Sequence, residues 1–180
     1  MKKIIFITGG ARSGKSKFAL KLARGFDGDK VIFLATGLPK DKEMAERVKI
    51  HQESRPRDWR TIATEKNILK VIRGIEDSFC HLLIIDCLTL FLSNLLLSDE
   101  KEEKILKEIK EIAKLLRKAK YTTIIVSNEV GDGVVPNNRL ARKFRDLAGL
   151  VNQIVAEKVD EVYLVVAGIP IKLKEIYGKD

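Results

Sequence analysis

The sequence is poor in the residues that build disulfide frameworks and metal centres. Its 180 residues include two cysteines and two histidines. Cys80 and Cys87 flank the apolar stretch HLLIID, and in an extended strand they would lie roughly 23 Å apart. A disulfide requires α-carbons less than about 7 Å apart. The sequence therefore predicts two reduced thiols, with neither a disulfide nor a C-x-x-C metal site.

Long apolar runs are also missing. No stretch of eighteen apolar residues occurs, which argues against a membrane-spanning helix. The opening MKKIIFITG is short and leads directly into a glycine-rich loop, so we interpret it as a core strand and not as a secretory signal. With 45% hydrophobic and 33% charged residues, the composition is typical of a soluble globular protein. We expect one domain, 1–180, in the cytoplasm.

Acidic residues are outnumbered, 25 against 34 lysines and arginines, which gives a net charge of +9. Such an excess suits nucleic acid or a polyanionic small molecule. The sequence has no basic patch interleaved with aromatic residues, no helix-turn-helix signature and no zinc-finger spacing. Much of the lysine falls in 99–119, where Ile105, Ile109, Ile112 and Leu116 form the apolar stripe of an amphipathic helix. We therefore predict an anionic small-molecule substrate and no nucleic-acid partner.

The hydrophobic pattern alternates between strands and helices. Near-continuous apolar runs predict strands at 2–8, 30–36, 81–87, 122–128 and 161–168. Helical spacing predicts helices at about 16–25, 41–55, 66–76, 90–97, 99–119 and 138–158. This order indicates an α/β fold with a mostly parallel sheet covered by helices on both faces. The alternating ending at 171–174 predicts an antiparallel edge strand.

The first predicted strand is followed by a phosphate-binding motif, G-x-x-x-x-G-K-S. A glycine-rich turn between a strand and a helix directs backbone N–H groups and the helix N-terminus at an anion. In this motif the lysine reaches the terminal phosphates, and the serine hydroxyl can bind Mg²⁺. The predicted nucleotide-binding residues are Gly9, Gly10, Ala11, Arg12, Ser13, Gly14, Lys15 and Ser16.

Polar residues also follow the other predicted strands, at the edge where ligands bind in such sheets. Asp86 follows four apolar residues, as a Walker-B-like acid would, and could hold Mg²⁺ opposite Ser16; alternatively it caps the next helix. Thr36 and Gly37 end the second strand, where a backbone N–H can approach a nucleotide, or they form a plain turn. Residues 127–129 precede GDGVVP, which we interpret as a second-substrate loop or a simple connection.

The two histidines are interpreted differently. His81 begins a strand with no partner in view, which favours a structural role. His51 shares a predicted helical stripe with Met44 and has Arg47 one turn before it and Arg55 one turn after it. An imidazole between two guanidinium groups can attack a phosphorus atom while the arginines neutralise its oxygens. Spacing alone leaves simple packing open as the alternative.

Five segments together resemble a known family. They are GGARSGKS, H-x-x-x-RP-x-x-W at 51–59, DCLTLFLSNLL from Asp86, VSNEVGDGVVP at 126–136 and RKFRDLAGLVNQ at 142–153. In this order the chain closely resembles the bifunctional adenosylcobinamide kinase / adenosylcobinamide-phosphate guanylyltransferases of cobalamin biosynthesis. The phosphate loop alone would fit many families, whereas the other four segments are specific.

The resemblance implies two reactions. A γ-phosphoryl group passes from ATP or GTP to the aminopropanol hydroxyl of adenosylcobinamide, and GMP from GTP is then transferred to that phosphate, with release of pyrophosphate. It implies that His51 carries GMP covalently. It also implies a RecA-like sheet and a homotrimer. The nucleotide contacts it implies, besides the phosphate loop, are Thr36, Gly37, Leu38, Gln52, Glu53, Ser54, Arg55, Glu65 and Asp86. The spacing from Trp59 to Glu65 departs from the family pattern.

Two other classes of protein remain open at this point. One is a plain small-molecule kinase, in which His51 is structural and only the γ-phosphoryl group moves. The other is a RecA-like, NTP-driven binding module, which the net charge of +9 would suit. No arginine-rich arm or stacking platform supports the second class.

Overall fold

A computed structural model describes residues 2–37, 42, 46, 49, 53 and 55–174. Seven strands in this part of the chain form one sheet, in the order β3-β2-β4-β5-β1-β6-β7. The strands are β1 (Ile4–Thr8), β2 (Val31–Ala35), β3 (Arg60–Ala63), β4 (Leu82–Asp86), β5 (Thr122–Val126), β6 (Glu161–Val166) and β7 (Ile169–Lys172).

The sheet is parallel except at one edge. Apart from Asp86 at the end of β4, strands β1, β2, β4 and β5 consist of apolar and threonine residues that are almost all buried, as expected for strands covered on both faces. Each pairs with its neighbours in parallel register. The last strand, β7, pairs antiparallel with β6. These pairings confirm the predicted mostly parallel sheet and its antiparallel edge strand, which lies two residues earlier than predicted.

Five helices and a 3₁₀ turn at Gly28–Lys30 connect the described strands. The helices are α1 (Lys15–Ala23), α2 (Ile68–Arg73), α3 (Leu88–Leu96), α4 (Glu102–Lys118) and α5 (Arg139–Lys158). Each matches a predicted helix to within a few residues. The predicted helix 41–55 lies mostly outside the described residues, although 42, 46, 49 and 53 are helical. None of the helices in the described ranges is long and apolar enough to cross a bilayer.

The two faces of the sheet are covered unequally. Alternate residues of β1 point to opposite faces, so Ile4 and Phe6 join one hydrophobic cluster while Ile5 and Ile7 join the other. The larger cluster packs beneath α2, α3, α4 and α5, and includes the predicted apolar stripe of α4. The smaller cluster is covered by α1 and by Trp59. Helices therefore lie on both faces, as predicted.

One strand was not predicted from the sequence. Strand β3 pairs parallel with β2 at the edge of the sheet, with Phe33 opposite Thr61. Three of its four residues are exposed, and Ile62 is half-buried. A short, exposed edge strand needs no continuous apolar run, so hydrophobic periodicity gave no signal for it. Its position brings the segment that contains Glu65 to the carboxyl edge of the sheet.

Candidate functional site

The glycines of the phosphate loop permit a tight turn between β1 and α1. Gly9 has a φ of 147° and Gly14 has a φ of 99°, and residues that carry a side chain rarely adopt either value. A β-carbon on Gly9 would lie 2.3 Å from the carbonyl oxygen of Val165. Helix α1 then begins at Lys15, with Gly14 as its N-cap residue. The helix N-terminus and the loop therefore have the arrangement that binds phosphate.

Lys15 folds over this loop. Its Nζ donates hydrogen bonds to the carbonyl oxygens of Gly9 and Gly10, at 2.8 and 2.6 Å. The side chain is buried, and burial lowers the pKa of Lys15, while Cys87 and Asp86 act in the opposite direction. The ammonium group is thus fixed at the loop where phosphate oxygens would bind.

The loop is braced from two sides. The N–H of Gly168, in the turn between β6 and β7, donates to the carbonyl oxygen of Ser13 at 2.8 Å. Gly168 also packs so closely that a β-carbon on Gly14 would lie 3.1 Å from its Cα. On the other side, the N–H of Glu129 donates to the carbonyl oxygen of Gly9 at 2.8 Å. These contacts hold the loop between β6–β7 and the segment after β5.

Ser16 and Asp86, the predicted metal ligands, are brought together. The Ser16 hydroxyl donates to Oδ2 of Asp86 at 3.3 Å. Asp86 ends β4, and the cap position of α3 is occupied by Cys87. The alternative in which Asp86 caps that helix is therefore wrong. A hydroxyl and a carboxylate are the hard oxygen ligands that Mg²⁺ prefers.

Thr36 ties the end of β2 to the end of β4. Its hydroxyl donates to the carbonyl oxygen of Cys87 at 2.6 Å and accepts from the N–H of Cys87 at 2.9 Å. Its own N–H donates to the carbonyl oxygen of Asp86 at 3.1 Å. Both donors of Thr36 are thus used within the protein, and the nucleotide contacts of Thr36 and Gly37 stay predictions.

Asn94 on α3 was missed as a site residue by sequence reasoning. Its Nδ2 donates to the carbonyl oxygens of Thr36 and Glu65, at 2.9 and 3.3 Å. These bonds link the segments after β2 and β3, which both carry predicted nucleotide contacts. The available signal was an amide inside the apolar helix sequence LTLFLSNLL.

A second buried network joins the ends of β4 and β5. The Thr89 hydroxyl lies 3.2 Å from Sγ of Cys87 and accepts from both the N–H and Nδ2 of Asn128, at 3.2 and 2.9 Å. Ser127 and Asn152 are bonded side chain to side chain at 2.8 Å. Burial raises the pKa of Cys87 to about 11, so this thiol is neutral. The network fixes the start of the predicted second-substrate loop.

The predicted residues near 51 are only partly described. Arg55 places its guanidinium carbon 3.5 Å from the centre of the Phe33 ring. Burial lowers the pKa of Arg55, opposed by Asp86, and its buried Nη1 has no hydrogen-bond partner among the described residues. Glu53 is exposed. The remaining predicted residues of these segments lie outside the described residues: Leu38, His51, Gln52 and Ser54. His81, by contrast, lies just before β4, at the amino ends of the strands and so on the far side of the sheet from the phosphate loop.

Comparison with solved structures supports the class of protein. The chain aligns over 92% of its length with the type III secretion ATPase EscN of enteropathogenic Escherichia coli, at a TM-score of 0.57 and 16% identity. A prototypical ATPase from a type III secretion system gives a TM-score of 0.53 at 13% identity. The chain spans 43% and 50% of those two proteins. The chain therefore shares the α/β fold of these ATPases, with a phosphate loop between its first strand and its first helix.

Sequence comparison identifies the family. The family model described as cobinamide kinase / cobinamide phosphate guanyltransferase matches residues 5–173. The bifunctional adenosylcobalamin biosynthesis protein CobU is 38% identical in Escherichia coli and 39% identical in Salmonella typhimurium, each over 95% of this chain and 99% of the relative. CobP of Pseudomonas aeruginosa is 40% identical over 93% of this chain and 95% of the relative. The chain belongs to this family of bifunctional kinase–guanyltransferases, which confirms the resemblance drawn from its motifs.

Proposed function

We propose that the protein phosphorylates adenosylcobinamide with ATP or GTP and then transfers GMP from GTP to the product. The second reaction yields adenosylcobinamide-GDP and pyrophosphate. The observation that carries this proposal is the phosphate loop, with Lys15 folded over it and the Ser16–Asp86 pair beside it, in a chain of the cobinamide kinase / guanyltransferase family.

Both reactions use the same triphosphate site. The loop N–H groups and Lys15 bind the phosphates, and Ser16 and Asp86 would hold Mg²⁺. When bound, the metal ion neutralises charge that develops on the phosphate oxygens. In the kinase reaction the acceptor oxygen attacks the γ-phosphorus, and the bond from that phosphorus to the β-γ bridging oxygen breaks.

His51 determines the second reaction. Its imidazole attacks the α-phosphorus of GTP, the bond to the bridging oxygen breaks, and pyrophosphate leaves. The cobinamide phosphate then attacks the same phosphorus and displaces the histidine. A neutral imidazole is abundant near pH 7, and the two steps allow pyrophosphate to depart before the bulky acceptor enters.

The nucleoside is proposed to lie at the carboxyl ends of β2 and β3. Gly37 and Leu38 follow β2, and Glu65 follows β3, where Asn94 links the two segments. Residues 52–55 complete the predicted contacts, and the buried Nη1 of Arg55 is available to a phosphate oxygen in that arrangement.

The test is covalent labelling with GTP. Wild-type protein should retain label from α-labelled GTP after denaturation and none from γ-labelled GTP. The bond should be labile in acid and stable in alkali. His51→Ala should lose the α-label and guanylyl transfer while keeping measurable kinase activity. His81→Ala, at the opposite edge of the sheet, is the matched control and should retain both activities.

The plain kinase remains the second candidate because the phosphate loop alone would support it. A wild-type protein that phosphorylates cobinamide but never retains α-label would favour that candidate. Retention of α-label by His51→Ala would place the nucleophile at another residue.

We also propose, from the family resemblance, that the protein works as a cytoplasmic homotrimer. Light scattering during size exclusion should then give three times the chain mass of 20.3 kDa. A monomer at micromolar concentration would contradict this.

A further inference from the structure

The two proposed reactions differ in what happens to a proton. In the kinase reaction an alcohol attacks phosphorus, so its hydroxyl proton must leave. In guanylyl transfer the attacking groups are a neutral imidazole and a phosphate that is already anionic. A base close to the acceptor side of the phosphate loop would therefore serve the first reaction and not the second.

Glu129 lies beside the phosphate loop. It follows β5, and its N–H donates to the carbonyl oxygen of Gly9 at 2.8 Å, the same oxygen that accepts a hydrogen bond from Lys15. The backbone of Asn128, the residue before it, is held by Thr89 and Asn152. The position of Glu129 is therefore fixed from both the loop side and the network side.

The carboxylate of Glu129 is oriented and half-buried. Its Oε1 accepts the N–H of Gly131 at 2.7 Å, and within the described ranges Oε2 makes no hydrogen bond. Asp86, the other carboxylate beside the loop, is engaged with Ser16. Glu129 thus offers one oxygen to its own turn and has a second oxygen for another donor.

The chain beyond Glu129 presents apolar surface. Val134 is 94% exposed and Val135 is 61% exposed, whereas Val130 in the same loop packs against the core. Apolar side chains at this position suit an acceptor with a large organic body. An acceptor that packs on these side chains would have Glu129 between it and the phosphate loop.

We propose that Glu129 is the general base of the kinase reaction, an inference that depends on the proposed function. The acceptor hydroxyl gives its proton to Oε2 of Glu129 as its oxygen bonds to the γ-phosphorus. The bond from that phosphorus to the β-γ bridging oxygen breaks, and the nucleoside diphosphate leaves with the electron pair. The proton then passes from Glu129 to solvent.

The experiment measures the two reactions separately in Glu129→Gln. The amide of this variant retains the oxygen that accepts the Gly131 N–H, so the turn is preserved while the base is lost. We expect the kcat for phosphorylation of cobinamide by ATP to fall about 100-fold or more. Covalent labelling of the protein by α-labelled GTP should remain within about twofold of wild type.

Two further variants make the test specific. Glu129→Asp keeps a carboxylate and should retain more kinase activity than Glu129→Gln. Glu76→Gln makes the same chemical change at an exposed carboxylate before β4, away from the phosphate loop, and should leave both reactions unchanged.

Three results would overturn the inference. They are kinase activity of Glu129→Gln close to that of wild type, a parallel loss of kinase activity and GMP labelling, and equal kinase activities for Glu129→Asp and Glu129→Gln. A wild-type protein that neither phosphorylates cobinamide nor retains GMP would overturn the proposed function as well, so the two failures are distinguishable.

Discussion

The carboxyl ends and the amino ends of the strands, here called the carboxyl edge and the amino edge of the sheet, carry polar residues of very different kinds. At the carboxyl edge, Lys15, Thr36 and Asn94 are buried and bonded to backbone carbonyls. At the amino edge the polar contacts are ion pairs near the surface, such as Arg117 with Asp160 at 2.6 Å, with side chains that are 51% and 37% exposed. The buried hydrogen bonds at the carboxyl edge fix the positions of these side chains, whereas the ion pairs at the amino edge stay in contact with solvent.

This difference teaches where substitutions should matter. A buried donor that is removed leaves its acceptor unsatisfied, at a cost of about 1–3 kcal/mol. An exposed ion pair contributes only about 0–1 kcal/mol. Changes at the carboxyl edge should therefore alter catalysis and stability, and changes at the amino edge should alter stability slightly.

The largest effect is expected for Lys15→Ala. Both reactions need the triphosphate held by the same loop, so kinase and guanylyltransferase rates should each fall by about 1,000-fold. Lys17→Ala, an exposed lysine two residues further along α1, is the control. Near-normal activity in either assay would show that the two reactions do not share the loop.

Removal of the proposed metal ligand, Asp86, should have the next largest effect. Asp86→Asn should lower kcat about 100-fold in both reactions and change KM less, because the lost charge acts on the developing transition state. Chelation by EDTA should stop turnover, and added Mg²⁺ should restore it. Asp27→Asn, at the amino edge, should change neither rate. An EDTA-resistant rate would rule out the Ser16–Asp86 site.

A smaller effect is expected for Asn94→Leu. The carbonyl oxygens of Thr36 and Glu65 lose a donor, so the free energy of unfolding should fall by about 1–3 kcal/mol. The KM for GTP should rise because the two segments are no longer linked. Asn67→Leu, an exposed position before α2, is the control, with urea titration as the measurement. Equal midpoints for the two variants would contradict the role of Asn94.

The smallest effect is expected at the amino edge, for Asp160→Asn. Burial alone would raise the pKa of Asp160, but the hydrogen bonds from the N–H of Ile4 and from Arg117 outweigh it and lower that pKa. Folding thus favours the charged form of Asp160. Its contribution to the free energy of unfolding is therefore present above the unfolded pKa of about 3.9 and is lost as pH falls through the lower folded pKa.

We expect Asp160→Asn to lower the free energy of unfolding by about 0.2–1 kcal/mol at pH 7, with no change in either enzymatic rate. The difference from wild type should shrink in urea titrations below about pH 4. Asp29→Asn removes an exposed carboxylate and is the control; it should leave the free energy of unfolding at pH 7 unchanged within error. A difference that persists at pH 2 would mean that the carboxylate charge is not the cause.

Local chemistry explains what the sequence predicted well. The phosphate loop requires glycines at Gly9 and Gly14 and a lysine at fixed spacing, all within eight residues, so the motif can be recognised without tertiary structure. The parallel strands were predictable because burial on both faces demands continuous apolar runs. The pairing of Ser16 with Asp86 followed from the rule that carboxyl ends of parallel strands share one edge.

Other features depend on neighbours that are distant in the chain. Asn94 becomes significant only because α3 places its amide between the ends of β2 and β3. The position of Glu129 at the phosphate loop depends on β5 lying beside β1. Strand β3 has mostly exposed residues and is stabilised by pairing with β2, which local periodicity does not report. The position of His51 remains a prediction, because it lies outside the described residues.

The hydrogen bond between Gly168 and Ser13 joins positions near opposite ends of the described chain. During synthesis on the ribosome, β1 emerges before both of its partners, β5 and β6, and one of its sides stays unpaired until β6 arrives. The contacts of Gly168 with Ser13 and Gly14 can form only when the turn at Gly168 has also emerged. We therefore expect a chain released before that turn to carry the phosphate-loop sequence without the bond that braces the loop.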